Sequence, residues 1–225
     1  MSLSYQRPDG GFARLKRLAQ KPVPVERCGL CNVALRGDHR HLVDVQSRRI
    51  ECACTPCALL FENQSGRSIS VPQENETRRG PRYRLVPRDA VVLQDFALDD
   101  LQWEALSIPI DLAFFFHNSA SGKVVAFYPS PAGATESLLP LDAWEEIVAR
   151  NPRLQQMQPD VEALLVNRVR QTREYFIAPI DRCYELVGII RRYWSGFSGG
   201  DEVWRKLEEF FQTLRQASPA SAVHA

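Results

Sequence analysis

Five of the chain's six cysteines fall between residues 28 and 57, spaced C-x2-C at 28–31 and C-x-C-x2-C at 52–57. Two C-x2-C pairs separated by 22 residues suit four thiolates around one tetrahedral zinc, with Zn–S distances of about 2.3 Å. The alternative use of clustered cysteine is disulfide formation, and the compartment decides between the two. The first eleven residues are polar and lack the apolar core of a signal peptide, and the longest apolar run, near 112–116, falls well short of the ~20 residues of a membrane span. The chain is therefore expected to be cytoplasmic, where thiols stay reduced and metal binding is the better account of the cluster. With 44% hydrophobic and 24% charged residues the rest reads as an ordinary globular protein.

Within the cluster, Cys28-Gly29-Leu30-Cys31 places a glycine in the tight turn of a zinc knuckle. Residues 41–45 and 48–51 are strand-like, with Gln46-Ser47 as their turn. The second pair, Cys54-Thr55-Pro56-Cys57, runs into Ala58-Leu59-Leu60-Phe61, a good helix start. Knuckle, hairpin, then two ligands at a helix N-terminus is the order of a treble-clef or zinc-ribbon-like module, and the positive helix end favours thiolate there. The predicted ligands are Cys28, Cys31, Cys54 and Cys57. Iron in a rubredoxin-like site is the alternative metal, but rubredoxins repeat the knuckle with a glycine closely after each second cysteine. Helix formers follow Cys57 here, so zinc is preferred.

The cluster holds more donors than one tetrahedral site needs. His39 and His41 alternate around Arg40 and would share one strand face, as would Cys52 and Cys54. Cys52 either replaces Cys54 as a ligand or lies outside the site. His39, His41 and Cys52 then line an adjacent functional site, or the histidines simply cap the hairpin. Asp38-His39 inside a cysteine-bounded hairpin also resembles the HNH nucleases, whose catalytic histidine sits there. No histidine follows Cys57 in the next helix, where that family often has one, and the Lys/Arg density is modest for a phosphate backbone. A metal-dependent nuclease is thus the third reading, after a docking protein and a redox or metal-transfer protein.

The remaining chain divides into a loose arm (1–24), the cysteine module (25–61), a polar linker (62–81), an α+β domain (82–216) with a helical C-terminal half, and a small-residue tail (217–225). Phe12, Leu15 and Leu18 of the arm are read as one short docked turn. Strands are predicted at 83–86, 90–93, 108–116 and 123–128, with the all-apolar 113–116 buried on both faces. Helices are predicted from Asp142, over 159–170 (with Asp160 and Glu162 as N-terminal charges), over 183–194, and after Gly199-Gly200-Asp201. Cys183 is read as core, Gly188 as a site of close backbone packing, His117 as a solvated strand end, and 129–136 as a partner-docking loop or a small-molecule lip, the former preferred. Net charge is +1, yet residues 1–60 carry +5 and residues 94–166 carry −8. That asymmetry suits a protein partner, and neither nucleic acid nor a membrane is expected as one. No nucleophile elbow, H-E-x-x-H or dinucleotide fingerprint occurs, and four histidines are few for an acid–base network. An enzyme is not the expected class.

Taken together, Cys28–Cys31, His39-Arg40-His41-Leu42, Cys52–Phe61, and the stretches 128–136, 159–165, 179–188 and 199–204 resemble an uncharacterised family. Its genes lie beside uptake nickel–iron hydrogenase operons of actinobacterial type. The resemblance spans roughly residues 25–215. It implies an accessory role, with a hydrogenase subunit or maturation factor as the protein partner, and supplies no mechanism.

Overall fold

The computed structural model describes residues 25–62, 82–137 and 141–218. The arm (1–24), the linker apart from Glu62, and the tail beyond Ser218 lie outside the described residues. The fold is mixed α+β, with a cysteine-rich N-terminal part and helices at the C-terminal end.

A six-stranded antiparallel sheet forms the centre. Its strands are β4 (Val91–Val92), β5 (Leu112–Asn118), β6 (Lys123–Ser130), β7 (Gly133–Ser137), β8 (Glu162–Asn167) and β9 (Glu174–Pro179), in the order β4-β9-β8-β5-β6-β7. Both faces are covered. Leu112, Phe114, Phe116, Leu165 and Phe176 face α4 (Ile180–Tyr193) and α5 (Gly200–Ala217). Ala113, Phe115, Leu164, Val166 and Ile177 face α2 (Asp100–Ala105) and α3 (Leu141–Arg150) through Trp103, Leu106, Trp144 and Ile147. A sheet covered twice needs apolar residues at consecutive positions, which is why β5 reads Leu-Ala-Phe-Phe-Phe. The expected double burial of 113–116 is thus observed.

The same physics overturns the helix expected over 159–170. Residues 162–167 form β8, central in the sheet and paired with β5 and β9. Glu-Ala-Leu-Leu favours a helix locally, but burial on both faces outweighs that preference. Asp160 is no helix-end charge. It turns the chain at φ +66°, is buried, accepts from the Ser119 N–H at 2.9 Å, and lies 3.6 Å from the Arg84 guanidinium. Glu162 likewise stands in the strand, accepting from the Gln158 N–H at 2.7 Å. The loop expected at 129–136 is instead the β6–β7 hairpin, paired from Ser130↔Gly133 to Ala126↔Ser137. β5 starts at Leu112, four residues later than expected, because α2 and its exit turn occupy the approach. Helix α2 carries a reciprocal cap: the Gln102 N–H donates to Asp99 Oδ1 at 2.8 Å and the Asp99 N–H to Gln102 Oε1 at 3.2 Å.

The C-terminal helices follow the predicted apolar stripes, with Leu186, Val187 and Ile190 of α4 and Val203, Leu207, Phe210, Phe211 and Leu214 of α5 buried. Gly199 precedes α5 at φ +88°, where a Cβ would meet Val203 Cγ1 at 2.9 Å, so the tight α4–α5 corner requires glycine. Gly188 is different. It lies on the exposed face of α4, and a Cβ there would meet nothing within 4 Å, which corrects the expected close packing. Gly188→Ala should raise stability by about 0.5–1 kcal/mol, since only helix propensity changes; urea denaturation with an unchanged slope measures it.

The N-terminal part is a three-stranded sheet in the order β2-β1-β3, from β1 (Arg40–Asp44), β2 (Arg49–Ala53) and β3 (Tyr83–Leu85). Helix α1 (Thr55–Glu62) follows β2. The β1–β2 turn is wider than the Gln46-Ser47 expected: Asp44 pairs with Arg49, and the Asp44 carboxylate accepts from the Gln46 and Ser47 N–H groups. This sheet buries little of its own, namely Leu42, Ala53, Ala58 and Leu85. Val43 and Ile50 instead pack onto the main core.

Candidate metal centres

The knuckle is built by backbone geometry. The Cys28 N–H donates to Val33 O and the Asn32 N–H to Cys28 O, both at 2.9 Å, with Asn32 in the left-handed region at φ +62°, a conformation asparagine tolerates. The Gly29 N–H donates to Cys52 O at 2.8 Å, which pins the knuckle along the outer edge of β2. A Cβ on Gly29 would sit 2.9 Å from Glu51 Oε2, a contact the flexible Glu51 side chain could relieve by shifting. Cys54 lies just before α1 and Cys57 in its first turn, where the Ala58 N–H already donates to Cys54 O.

These elements converge four sulfurs. The Sγ atoms of Cys28, Cys31, Cys54 and Cys57 all lie within 4.8 Å of one another, with Cys31 and Cys54 at 3.6 Å. A tetrahedron with arms of about 2.3 Å has edges of about 3.8 Å, so the spacing fits one zinc-sized ion. The electrostatics fit as well. Burial pushes the Cys28 thiol up, but the backbone N–H groups of Cys54, Cys31 and Leu30, with the Cys31 thiol, bring it down to about 6. The Cys54 thiol, burial and the Cys31 and Cys28 groups drive Cys57 up to about 12. Thiols this close oppose one another's ionisation, and a divalent cation removes that opposition.

A second cluster lies beside the first. His39 precedes β1, and His41 stands opposite Cys52 in the β1–β2 register. His41 O accepts from the Val86 N–H on the β3 side and Cys52 O from the Gly29 N–H on the other edge. Their backbones therefore do not bond to each other, which is the pairing that brings facing side chains closest. One ligand atom from each of His39, His41 and Cys52 lies within 4.8 Å of the others, and the two rings meet edge to face with centroids 4.8 Å apart.

Both imidazoles are oriented from behind. His39 Nδ1 is 3.0 Å from Arg36 O, and His41 Nδ1 is 2.8 Å from Asp181 Oδ2. A carbonyl and a carboxylate are acceptors, so each Nδ1 carries a proton, and in the neutral ring Nε2 is left with its lone pair. Among the described residues, the buried His39 Nε2 has no hydrogen-bond partner. Left so, a buried polar nitrogen costs about 1–3 kcal/mol.

The structure thus separates Cys52 from Cys54, which the sequence reading had on one face. β2 ends at Ala53, so strand alternation does not extend to Cys54. Cys183 stands apart in the main core, where burial holds its thiol far up. Cys183→Ala should lower stability by about 1 kcal/mol and leave the metal content unchanged, as denaturation and elemental analysis would show. His117 is only partly exposed, and among the described residues its buried Nδ1 lacks a partner, so the expected solvated strand end is not what is found. Asp181 escaped the sequence reading because it lies 140 positions from His41; no local spacing signals that contact.

Comparison with known proteins places this geometry in context. The family of unknown function DUF5947 has a model that matches residues 27–218. The chain belongs to that family. The DUF5947 match takes in both cysteine pairs, the two histidines and the whole six-stranded sheet. No curated protein and no solved structure matches the chain. Among the described residues, no helix is long and apolar enough to cross a membrane.

Proposed function

We propose that this chain is a zinc-binding accessory protein that docks onto a protein partner. The observation that carries the reading is the convergence of four cysteine sulfurs from a knuckle and a helix N-terminus. Cys28, Cys31, Cys54 and Cys57 would hold the ion, and the knuckle–hairpin–helix order supports a treble-clef arrangement. A closed four-thiolate site is structural, and zinc there supplies folding energy.

Docking is supported by the surface around that site. Leu30 and Val33 of the knuckle and Leu59 and Leu60 of α1 are exposed, Leu60 at 71%. Large apolar side chains exposed on the two elements that supply the cysteines suit a protein contact. The resemblance drawn from the sequence makes a nickel–iron hydrogenase subunit or maturation factor the partner of choice. A tagged chain expressed with and without such an operon, then analysed for co-purifying subunits, tests this. Hydrogenase components retained by the wild type and lost in Leu59→Glu/Leu60→Glu support it, and equal recovery in both refutes it.

The alternative, a redox or metal-transfer protein using the Cys/His cluster, predicts visible thiolate-to-iron bands in the purified chain. Colourless protein containing zinc favours the structural reading.

A further inference from the structure

His39, His41 and Cys52 are not needed by the four-cysteine centre, and their arrangement exceeds what hairpin packing asks of them. We propose that they form a second zinc site, independent of the first, with three protein ligands and an open fourth position. The assigned ligand atoms are His39 Nε2, His41 Nε2 and Cys52 Sγ; one donor atom from each of these residues lies within 4.8 Å of the others.

Three observations converge on this assignment. The His39 side chain is 8% exposed, yet among the described residues its Nε2 is without a partner; a buried, lone-pair-bearing nitrogen beside a second imidazole and a thiol is a ligand awaiting an ion. Each ring is held from behind through Nδ1, by Arg36 O at 3.0 Å and Asp181 Oδ2 at 2.8 Å. Such contacts fix the tautomer and aim Nε2, and the carboxylate raises the ligand's basicity. The histidine side of the cluster also opens onto a cleft of about 470 Å³ between the module and the C-terminal helices, lined by His39, His41, Arg88, Asp181, Arg182 and Thr213 among others.

Two nitrogens and one thiolate, beside a cleft that His39 and His41 help to line, suit zinc with a water in its fourth position. A blue-copper site uses the same three donors with a weak axial thioether. Met157, the methionine among the described residues, packs into the core on the opposite face of the main sheet. The open position is thus left for water or a small exchangeable donor, such as an anion or an imidazole. Asp181 is a positioning residue: it touches His41 and acts through it.

The test counts zinc and weighs it. The full chain, saturated with zinc and dialysed against micromolar zinc, should hold two ions, and Cys52→Ser should hold one with its circular dichroism unchanged. Asp181→Asn keeps every ligand, and competition with a chromophoric chelator should show about 10–100-fold weaker binding at one site and no change at the other. Cobalt in the second site should give a thiolate charge-transfer band that Cys52→Ser removes, and ligand-field bands that azide shifts. If Cys52→Ser does not fold, Asp181→Asn decides. A single zinc in the unaltered chain overturns the second site and leaves the four-cysteine reading standing, as does equal affinity in Asp181→Asn. No zinc at all removes both.

Discussion

Cys28→Ser and Cys57→Ser chains are expected to lose the ion and to unfold the three-stranded sheet with α1, while the six-stranded sheet remains folded. The reason is the size of the module's own core. Its own apolar cluster is Leu42, Ala53, Ala58 and Leu85, with Phe61 and Tyr83 packed at the side. So small a core cannot offset the conformational entropy of some forty ordered residues. Structural zinc contributes about 10–16 kcal/mol of apparent binding energy in small zinc domains, which is enough to fold one. A chelator should give the same result as the mutations. The measurement is amide hydrogen exchange: protection should vanish across 28–62 and persist in β5, β8 and β9. Loss of the ion with protection intact at 28–62 would mean that the contacts of Val43 and Ile50 with the main core suffice alone.

The second large effect belongs to the other half of the molecule. Phe115→Ala should destabilise the chain by about 3–5 kcal/mol, a large share of the 5–15 kcal/mol typical of a folded domain. Phe115 is fully buried on central strand β5, stacked on Trp144 at 5.4 Å and edge-on to Trp103 at 6.5 Å. Neither indole can close the gap without leaving α2 or α3 unsupported. Thermal unfolding should shift down by on the order of 10 °C, with zinc content unchanged in the folded protein. A shift of a degree or two would mean that the α2–α3 layer repacks freely.

These two regions were legible in the sequence to different degrees. The cysteine module was readable because metal ligation is a local code: spacing alone names Cys28, Cys31, Cys54 and Cys57 as a candidate set, and the structure brings their sulfurs together. The His39–His41 pair was readable as a pair and the structure does bring the two rings together, although β1 begins at Arg40 and strand alternation does not extend to His39. The misreadings lie where tertiary context overrules local preference. β8 and β9 are covered on both faces, so they show no alternation, and Glu162-Ala163-Leu164-Leu165 resembles the start of a helix. β7 is a sheet edge of Gly, Ala, Thr, Glu and Ser, with no apolar signal to mark it. Helix α2, which Asp99 and Gln102 cap, is six residues long and was not expected from the sequence. His41–Asp181 and Arg84–Asp160 join distant segments, and no spacing rule reaches them.

The central claim is the four-cysteine zinc centre. It is tested most directly by X-ray absorption on the Cys52→Ser chain, in which the adjacent cluster has lost its thiol. The prediction is one zinc per chain with four sulfur neighbours at about 2.3 Å. A metal-free chain would show that Cys52, and not Cys54, completes the site; an iron edge or a first shell rich in nitrogen or oxygen would contradict the centre itself.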